Sequence, residues 1–224
     1  MSAHDVSQDL VENGAAVTML QRSASYVMNH ETFIAAFASN YVEPIKWPTE
    51  VADLVSNSLP WGLVPAAVVG VTADAAEKDR ATLDGLQEAG FRIDMGPGGG
   101  GLQAIHLSGR DGYYINTGTS DLIIDGTIAV KSGLEIDHFT RDGVVLSDGS
   151  VLAVDVVVLA TGYGGIRESA EKLLPSAIDA VPSVYRLQDD LEMSNVWRPT
   201  PQPGLWFMTG FLASSRFYSK RLAF

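Results

Sequence analysis

The chain has 224 residues, 46% of them hydrophobic and 19% charged, a globular balance with length for one large domain or two small ones. Its formal net charge of −12, with no run of lysines and arginines, argues against a nucleic-acid or anionic-membrane partner. Cysteine is absent, which excludes disulfides, thiol redox chemistry and cysteine-bound metal, and the four histidines lack ligand spacing, so no metal site is expected. The longest apolar stretch, Trp61 to Val71, is broken by Pro65 and too short to span a bilayer. No basic flank and apolar core mark a signal peptide at the N-terminus, so a cytoplasmic protein is expected.

In chain order, Ser2 to Asn13 reads as a helix, with Ala3, Val6 and Leu10 on one stripe and Gly14 where a left-handed cap belongs. Ala16 to Leu20 follows as a strand with a polar tip, Gln21-Arg22-Ser23, completing the second half of a βαβ unit. In a dinucleotide-binding unit an acid at that tip bonds the ribose 2′-hydroxyl, whereas an arginine suits a 2′-phosphate. Arg22 stands there, read either as that phosphate ligand or as a solvated loop arginine. Tyr41 to Pro65, with Pro44, Pro48, Pro60, Trp47 and Trp61, suggests an irregular excursion, either a packed surface loop or a cover over a substrate channel. Ala73 to Ala89 reads as one amphipathic helix with Thr72 as N-cap and Gly90 as stop. Gly96, Gly98 and Gly101 satisfy G-x-G-x-x-G in letter, but a charged strand before them and a short segment after them mark a decoy and a mobile loop.

From Gly112 the pattern turns to β, with Tyr113 to Ile115, then Leu122 to Val130 around an Asp125-Gly126 turn. Leu134 to Phe139, Val144 to Leu146 and Val151 to Ala153 are separated by Asp142-Gly143 and Asp148-Gly149, strong hairpin signals that predict a β-meander at about 134–154. Asp155 to Gly165, D-V-V-V-L-A-T-G-Y-G-G, then reads as a strand buried on both faces and a glycine-broken turn. That turn is either ordinary or the place where a flat ligand meets the backbone beyond a strand's carboxyl end. Ser169 to Leu174 is a short helix, 176 to 194 a polar connector, Asn195 to Gly204 a proline-rich turn, Leu205 to Gly210 a last buried strand, and Phe211 to Ala223 a helix.

Leu159-Ala160-Thr161-Gly162-Tyr163 resembles the L-A-T-G-Y segment of the flavin-containing monooxygenases and their Baeyer–Villiger relatives. Ser2 to Ser23 looks very like the segment that follows the second glycine-rich loop in that family, where the strand ends in Q-R-S with an arginine on NADP. Tyr113-Tyr114-Ile115 and its surroundings, and G-L-W-F-M-T-G from Gly204 to Gly210 with R-F-Y-S-K after it, are similar to the same family's later segments.

The resemblance implies a two-dinucleotide-binding, Rossmann-like α/β flavoprotein fold, truncated at both ends. Residues 1–160 would be a partial NADP-binding domain lacking its first strand and glycine loop, and 161–224 the return to the FAD-binding domain. It implies FAD and NADP as cofactors. Ser2, Arg22 and Ser23 would lie on the NADP side, and Ala160, Thr161, Gly162, Tyr163, Gly210, Phe211 and Leu212 on the flavin side. The implied activity is oxygenation of a small organic substrate with NADPH and O2, at nitrogen or sulfur or by Baeyer–Villiger insertion. No catalytic side chain is assigned, because in such enzymes the cofactors carry the chemistry while the protein positions them and excludes water. The isolated fragment is expected to be inactive unless a complementary N-terminal flavoprotein segment supplies the rest. The other reading is a non-catalytic nucleotide-binding module that needs a partner chain or binds nothing.

Overall fold

A computed structural model of the chain describes residues 1–109 and 112–222; Ala223, the end of the predicted last helix, lies outside the described residues. Helix α1 (Ser2–Glu12) closes at Gly14, whose φ of +87° permits the reversal into β1 (Val17–Gln21). A bend leads into β2 (Tyr26–Asn29). The excursion that follows is mostly helical: α2 (His30–Phe33), a π-helical turn, α3 (Thr49–Ser56), a 3-10 turn at Trp61–Leu63 and α4 (Val64–Ala67).

The single helix expected from Ala73 to Ala89 is two helices, α5 (Val69–Lys78) and α6 (Arg80–Glu88), and Thr72 lies inside α5 instead of capping it. The break falls at Asp79, which is buried. Its carboxylate accepts hydrogen bonds from the Asn29 backbone N–H at 2.7 Å, the Asn29 amide at 3.0 Å and the Thr32 hydroxyl at 2.6 Å. Pairing a buried acid with β2 and α2 outweighs one more turn of continuous helix. The glycine-rich stretch is likewise no mobile loop. It forms a 3-10 turn (Pro97–Gly99) and opens α7 (Gly101–Leu107), which is largely buried. A Cβ on Gly96 would stand 2.6 Å from the Gly101 carbonyl oxygen, and one on Gly101 would stand 2.7 Å from Thr72 Oγ1. These glycines serve close packing within the chain.

β3 (Tyr113–Asn116) precedes α8 (Thr119–Ile124), where a strand was expected. Asn116 Oδ1 accepts from the backbone N–H of Gly118 at 3.0 Å and of Ser120 at 3.2 Å, so it satisfies donors at the start of the helix. β4 (Ile128–Ser132), β5 (Ile136–Phe139), β6 (Gly143–Leu146) and β7 (Val151–Ala153) follow. β1 pairs parallel with β4, β2 pairs parallel with β3, and β5, β6 and β7 pair antiparallel in that order. Met19 and Ile128 from one parallel pair, and Val27 and Tyr114 from the other, share a single core with Leu83, Leu86, Phe91 and Ile123.

The strand predicted over Val156 to Ala160 does not form. Asp155 to Ile166 is exposed throughout, with Val156 at 76% and Leu159 at 65%, and Asp155 to Gly164 makes no backbone hydrogen bond among the described residues. A β-branched apolar run favours a covered sheet position, and none of the described strands offers one. Helices α9 (Ile166–Leu173), α10 (Pro175–Ile178) and α11 (Leu212–Tyr218) complete the chain. The connector expected to be polar puts Ile178, Val181 and Met193 into the core. The last predicted strand is reduced to one parallel bridge, Val196 to Phe207. Among the described residues no helix is long and apolar enough to cross a membrane.

His4 is buried in the first turn of α1, stacked on Tyr114 with ring centroids 3.9 Å apart and edge-on to Phe91 at 5.6 Å. Burial first, and the N-terminal ammonium second, pull its pKa from 6.5 down to about 3. The folded state therefore holds a neutral His4, and the unfolded chain binds the extra proton. This contribution to stability is complete above pH 6.5 and is lost as pH falls from 6.5 toward 3, with a slope of up to about 1.4 kcal/mol per pH unit. Urea denaturation between pH 6.5 and 5, above the range where the carboxylates titrate, should show that slope in the parent chain and lose it in His4→Phe. Parallel pH profiles for the two proteins would contradict the assignment.

Candidate functional site

α1 and β1 run in opposite directions around the turn at Gly14, and their lengths match. Eleven helical residues span about 16 Å and five strand residues span about the same. Ser2 and Arg22 therefore stand at one end of the α1–β1 unit. The backbone N–H groups of Ser2 and Ala3 find no acceptor among the described residues, and no side chain caps α1. Arg22 and Ser23 are exposed, and Arg22 makes no hydrogen bond or ion pair among the described residues. An exposed guanidinium after β1 and uncapped N–H groups at the start of α1 are donors of the kind that fit a phosphate.

The residues expected on the flavin side are not gathered in the same way. Ala160, Thr161, Gly162 and Tyr163 lie on the exposed segment, with Tyr163 at 98% exposure and Gly162 at a φ of +88°. Phe211 and Leu212 are exposed at 58% and 89%, although the Phe211 ring stacks on His106 at 5.6 Å. Within this chain these residues form no enclosed cradle for an isoalloxazine. Gly210 lines a cavity.

That cavity, of about 390 Å³, went unseen in the sequence. It lies where the 3-10 turn at Trp61, the loop 185–199 and α11 meet, and its apolar walls include Trp61, Val196, Trp197 and Tyr218. The Tyr218 ring neighbours both indoles, 6.4 Å from Trp61 and 6.2 Å from Trp197 by ring centroids. Burial pushes the Tyr218 phenol up; Arg221 pulls the other way, and the Glu192 carboxylate adds to the rise. Tyr185, pushed up to about 12 by burial, bonds His106 Nε2 through its hydroxyl. Non-glycine residues with φ near +60° cluster in the loop: Tyr185, Leu191, Asn195 and Trp197. Bulky side chains in that region cost on the order of 1–3 kcal/mol each and persist where neighbours fix them. Here Asn195 Nδ2 donates to the Ser183 carbonyl at 2.6 Å, and the Trp197 indole N–H donates to the Thr209 carbonyl at 2.9 Å. The signal available in the sequence was the aromatic residues of the excursion and the last segment, read there as a surface loop or a channel cover and, for Gly210, Phe211 and Leu212, as a flavin contact.

The far wall is held by a charge clamp. Asp53, 4% exposed, receives Arg216 Nε at 2.8 Å and Nη2 at 2.5 Å, and the Tyr41 hydroxyl at 2.9 Å. Arg216 and then Tyr41 hold the carboxyl below its usual range against the opposing effect of burial. This ties α3 of the excursion to α11.

No family model matches the chain. Its curated relatives include a probable indole-3-pyruvate monooxygenase, YUCCA9, of Arabidopsis thaliana, 26% identical over 223 residues, covering 99% of this chain and 44% of the relative. The indole-3-pyruvate monooxygenase YUCCA1 of Oryza sativa subsp. japonica is 28% identical over 187 residues, covering 81% of this chain and 40% of the relative. The indole-3-pyruvate monooxygenase YUCCA8 of Oryza sativa subsp. indica is 27% identical over 163 residues, covering 72% and 33%. The chain thus spans less than half the length of these relatives. They bear out the resemblance to flavin-containing monooxygenases drawn from the motifs.

Breaking the clamp from either side should have unequal effects. Arg216→Met leaves a buried carboxylate with Tyr41 alone, whereas Asp53→Asn leaves a half-exposed guanidinium that water can solvate. Thermal unfolding followed by circular dichroism at neutral pH should show a fall of several degrees for Arg216→Met and a smaller one for Asp53→Asn. Equal shifts, or none, would show that the clamp does not hold the wall.

Proposed function

We propose that the chain is part of a flavin-dependent monooxygenase that uses NADPH and O2 to oxygenate a small organic substrate. What supports the reading is an exposed Arg22 just past β1 and an uncapped α1 before it, in a chain whose relatives are monooxygenases. In this reading Ser2 and the first turn of α1 receive the dinucleotide pyrophosphate, and Arg22 with Ser23 grips the 2′-phosphate, selecting NADP over NAD. Flavin, when bound, supplies the redox chemistry and the activation of O2. Residues 1–160 act as the NADP half. Residues 161–224 return toward a flavin half, with Ala160 to Tyr163 at the crossing and Gly210, Phe211 and Leu212 at the flavin ring. The exposed residues on that side call for a complementary flavoprotein segment, which would cover Val156 to Tyr163. Indole-3-pyruvate, for which the relatives are named, is the first substrate to offer.

The exposed run also favours a second reading, a non-catalytic nucleotide-binding module that docks on a partner through the same segment. Co-expression with the N-terminal portion of the YUCCA9 relative separates the two. The monooxygenase reading expects a co-purifying yellow complex with a flavin absorption band, and NADPH-dependent O2 uptake in the pair but not in either part. Co-purification without flavin would favour the module, and no association would remove the shared premise.

Arg22 carries its own consequence. Equilibrium dialysis should show Arg22→Gln weakening NADPH binding about tenfold while leaving NADH binding unchanged, the signature of a lost charge-assisted phosphate contact. Equal losses for both nucleotides would assign Arg22 to folding and not to phosphate recognition.

A further inference from the structure

The cavity at Trp61 and Trp197 carries a charge pattern that oxygenation leaves unused. Of the ions lining it, Asp190 and Arg198 satisfy each other at 3.0 Å. Glu192 and Arg221 do not. Among the described residues the Glu192 carboxylate makes no hydrogen bond or ion pair, and the Arg221 guanidinium, 4.7 Å from the Tyr218 ring centroid, has no carboxylate partner. Glu192, Arg221 and Tyr218 line the same cavity.

An unpaired anion and an unpaired cation beside an aromatic wall match a ligand with both charges and a planar apolar body. A neutral aromatic would leave both ions unanswered, and a simple aromatic acid or amine would leave one. The loop that carries Trp197 and Glu192 is held at unfavourable φ by its own hydrogen bonds, so the wall exists before any ligand arrives. We propose that this cavity binds a free aromatic α-amino acid, its ring against Trp61 and Trp197, its ammonium at Glu192 and its carboxylate at Arg221. The proposal rests on the cavity alone and does not depend on the monooxygenase reading or on any bound cofactor.

L-phenylalanine is the probe, titrated into the full chain while the protein's tryptophan emission is followed. A saturable change is expected. 2-Phenylethylamine, which lacks the carboxylate, and 3-phenylpropanoate, which lacks the ammonium, should each bind about tenfold more weakly. Glu192→Gln should abolish the preference over 3-phenylpropanoate, and Arg221→Gln the preference over 2-phenylethylamine. The proposal is overturned if L-phenylalanine gives no saturable change, if either analogue binds as tightly, or if the substitutions leave both preferences intact. The comparison of the three probes needs no variant, so a misfolded substitution would not shield it.

Discussion

The buried carboxylate of Asp53 is the constraint around which the far half of the molecule is arranged. A carboxylate at 4% exposure is stable only when its oxygens are occupied, and here two donors of one guanidinium and one phenol occupy them. The donors come from Tyr41, early in the excursion, and from Arg216, near the end of the chain. The Arg216 guanidinium also lies 5.6 Å from the Tyr41 ring centroid, which adds a cation–π contact to the same junction. Satisfying one acid therefore joins two segments more than 160 residues apart. The aromatic cavity lies in the space between them, since Trp61 belongs to one and Tyr218 to the other.

What could be read from the sequence was what depends on near neighbours. The extent of α1, the glycine at its end and the strand after it are local signals, and they describe the observed elements to within a residue or two. The apolar stripe itself is not the buried face: Val6 and Leu10 are exposed, and α1 buries His4 and Ser7 against the core. The short strands β5 to β7 likewise fall beside Asp-Gly pairs. The failures share one cause, a distant partner that no local pattern reports. The helix from Ala73 to Ala89 breaks because Asp79 answers Asn29 and Thr32, some 50 positions earlier. The glycine-rich stretch packs tightly because Thr72 and the chain's own carbonyls crowd it. Val156 to Ala160 has the composition of a buried strand, but composition states a preference for burial and supplies no neighbour.

The same distinction runs through the predicted site. Ser2 and Arg22 fall at the start of α1 and just past the end of β1, a helix and a strand of nearly equal length, a placement that follows from spacing alone. Ala160 to Tyr163 and Gly210 to Leu212 were linked only through a resemblance, and their meeting requires long-range pairing that the described strands do not provide. The α1–β1 unit is thus built within the chain, while the segment from Asp155 to Ile166 presents exposed backbone and apolar surface.

The strained loop explains why a cavity survives where a collapsed core would be more stable. Left to local preference, Tyr185, Asn195 and Trp197 would avoid positive φ, and the loop would relax toward extended backbone. Side-chain bonds to the backbone prevent this. Asn195 holds the Ser183 carbonyl, the Ser194 hydroxyl accepts from the Arg186 N–H at 3.0 Å, and the Trp197 indole is pinned to Thr209. The Asn195 and Trp197 bonds each fix a residue that local sterics disfavour, the Ser194 bond braces the loop, and together they set an indole across from α11. The aromatic wall is thereby formed at the cost of folding and not of binding. A ligand that enters meets a surface whose ordering entropy has already been lost, so the contacts it makes there are not offset by the loop's rearrangement.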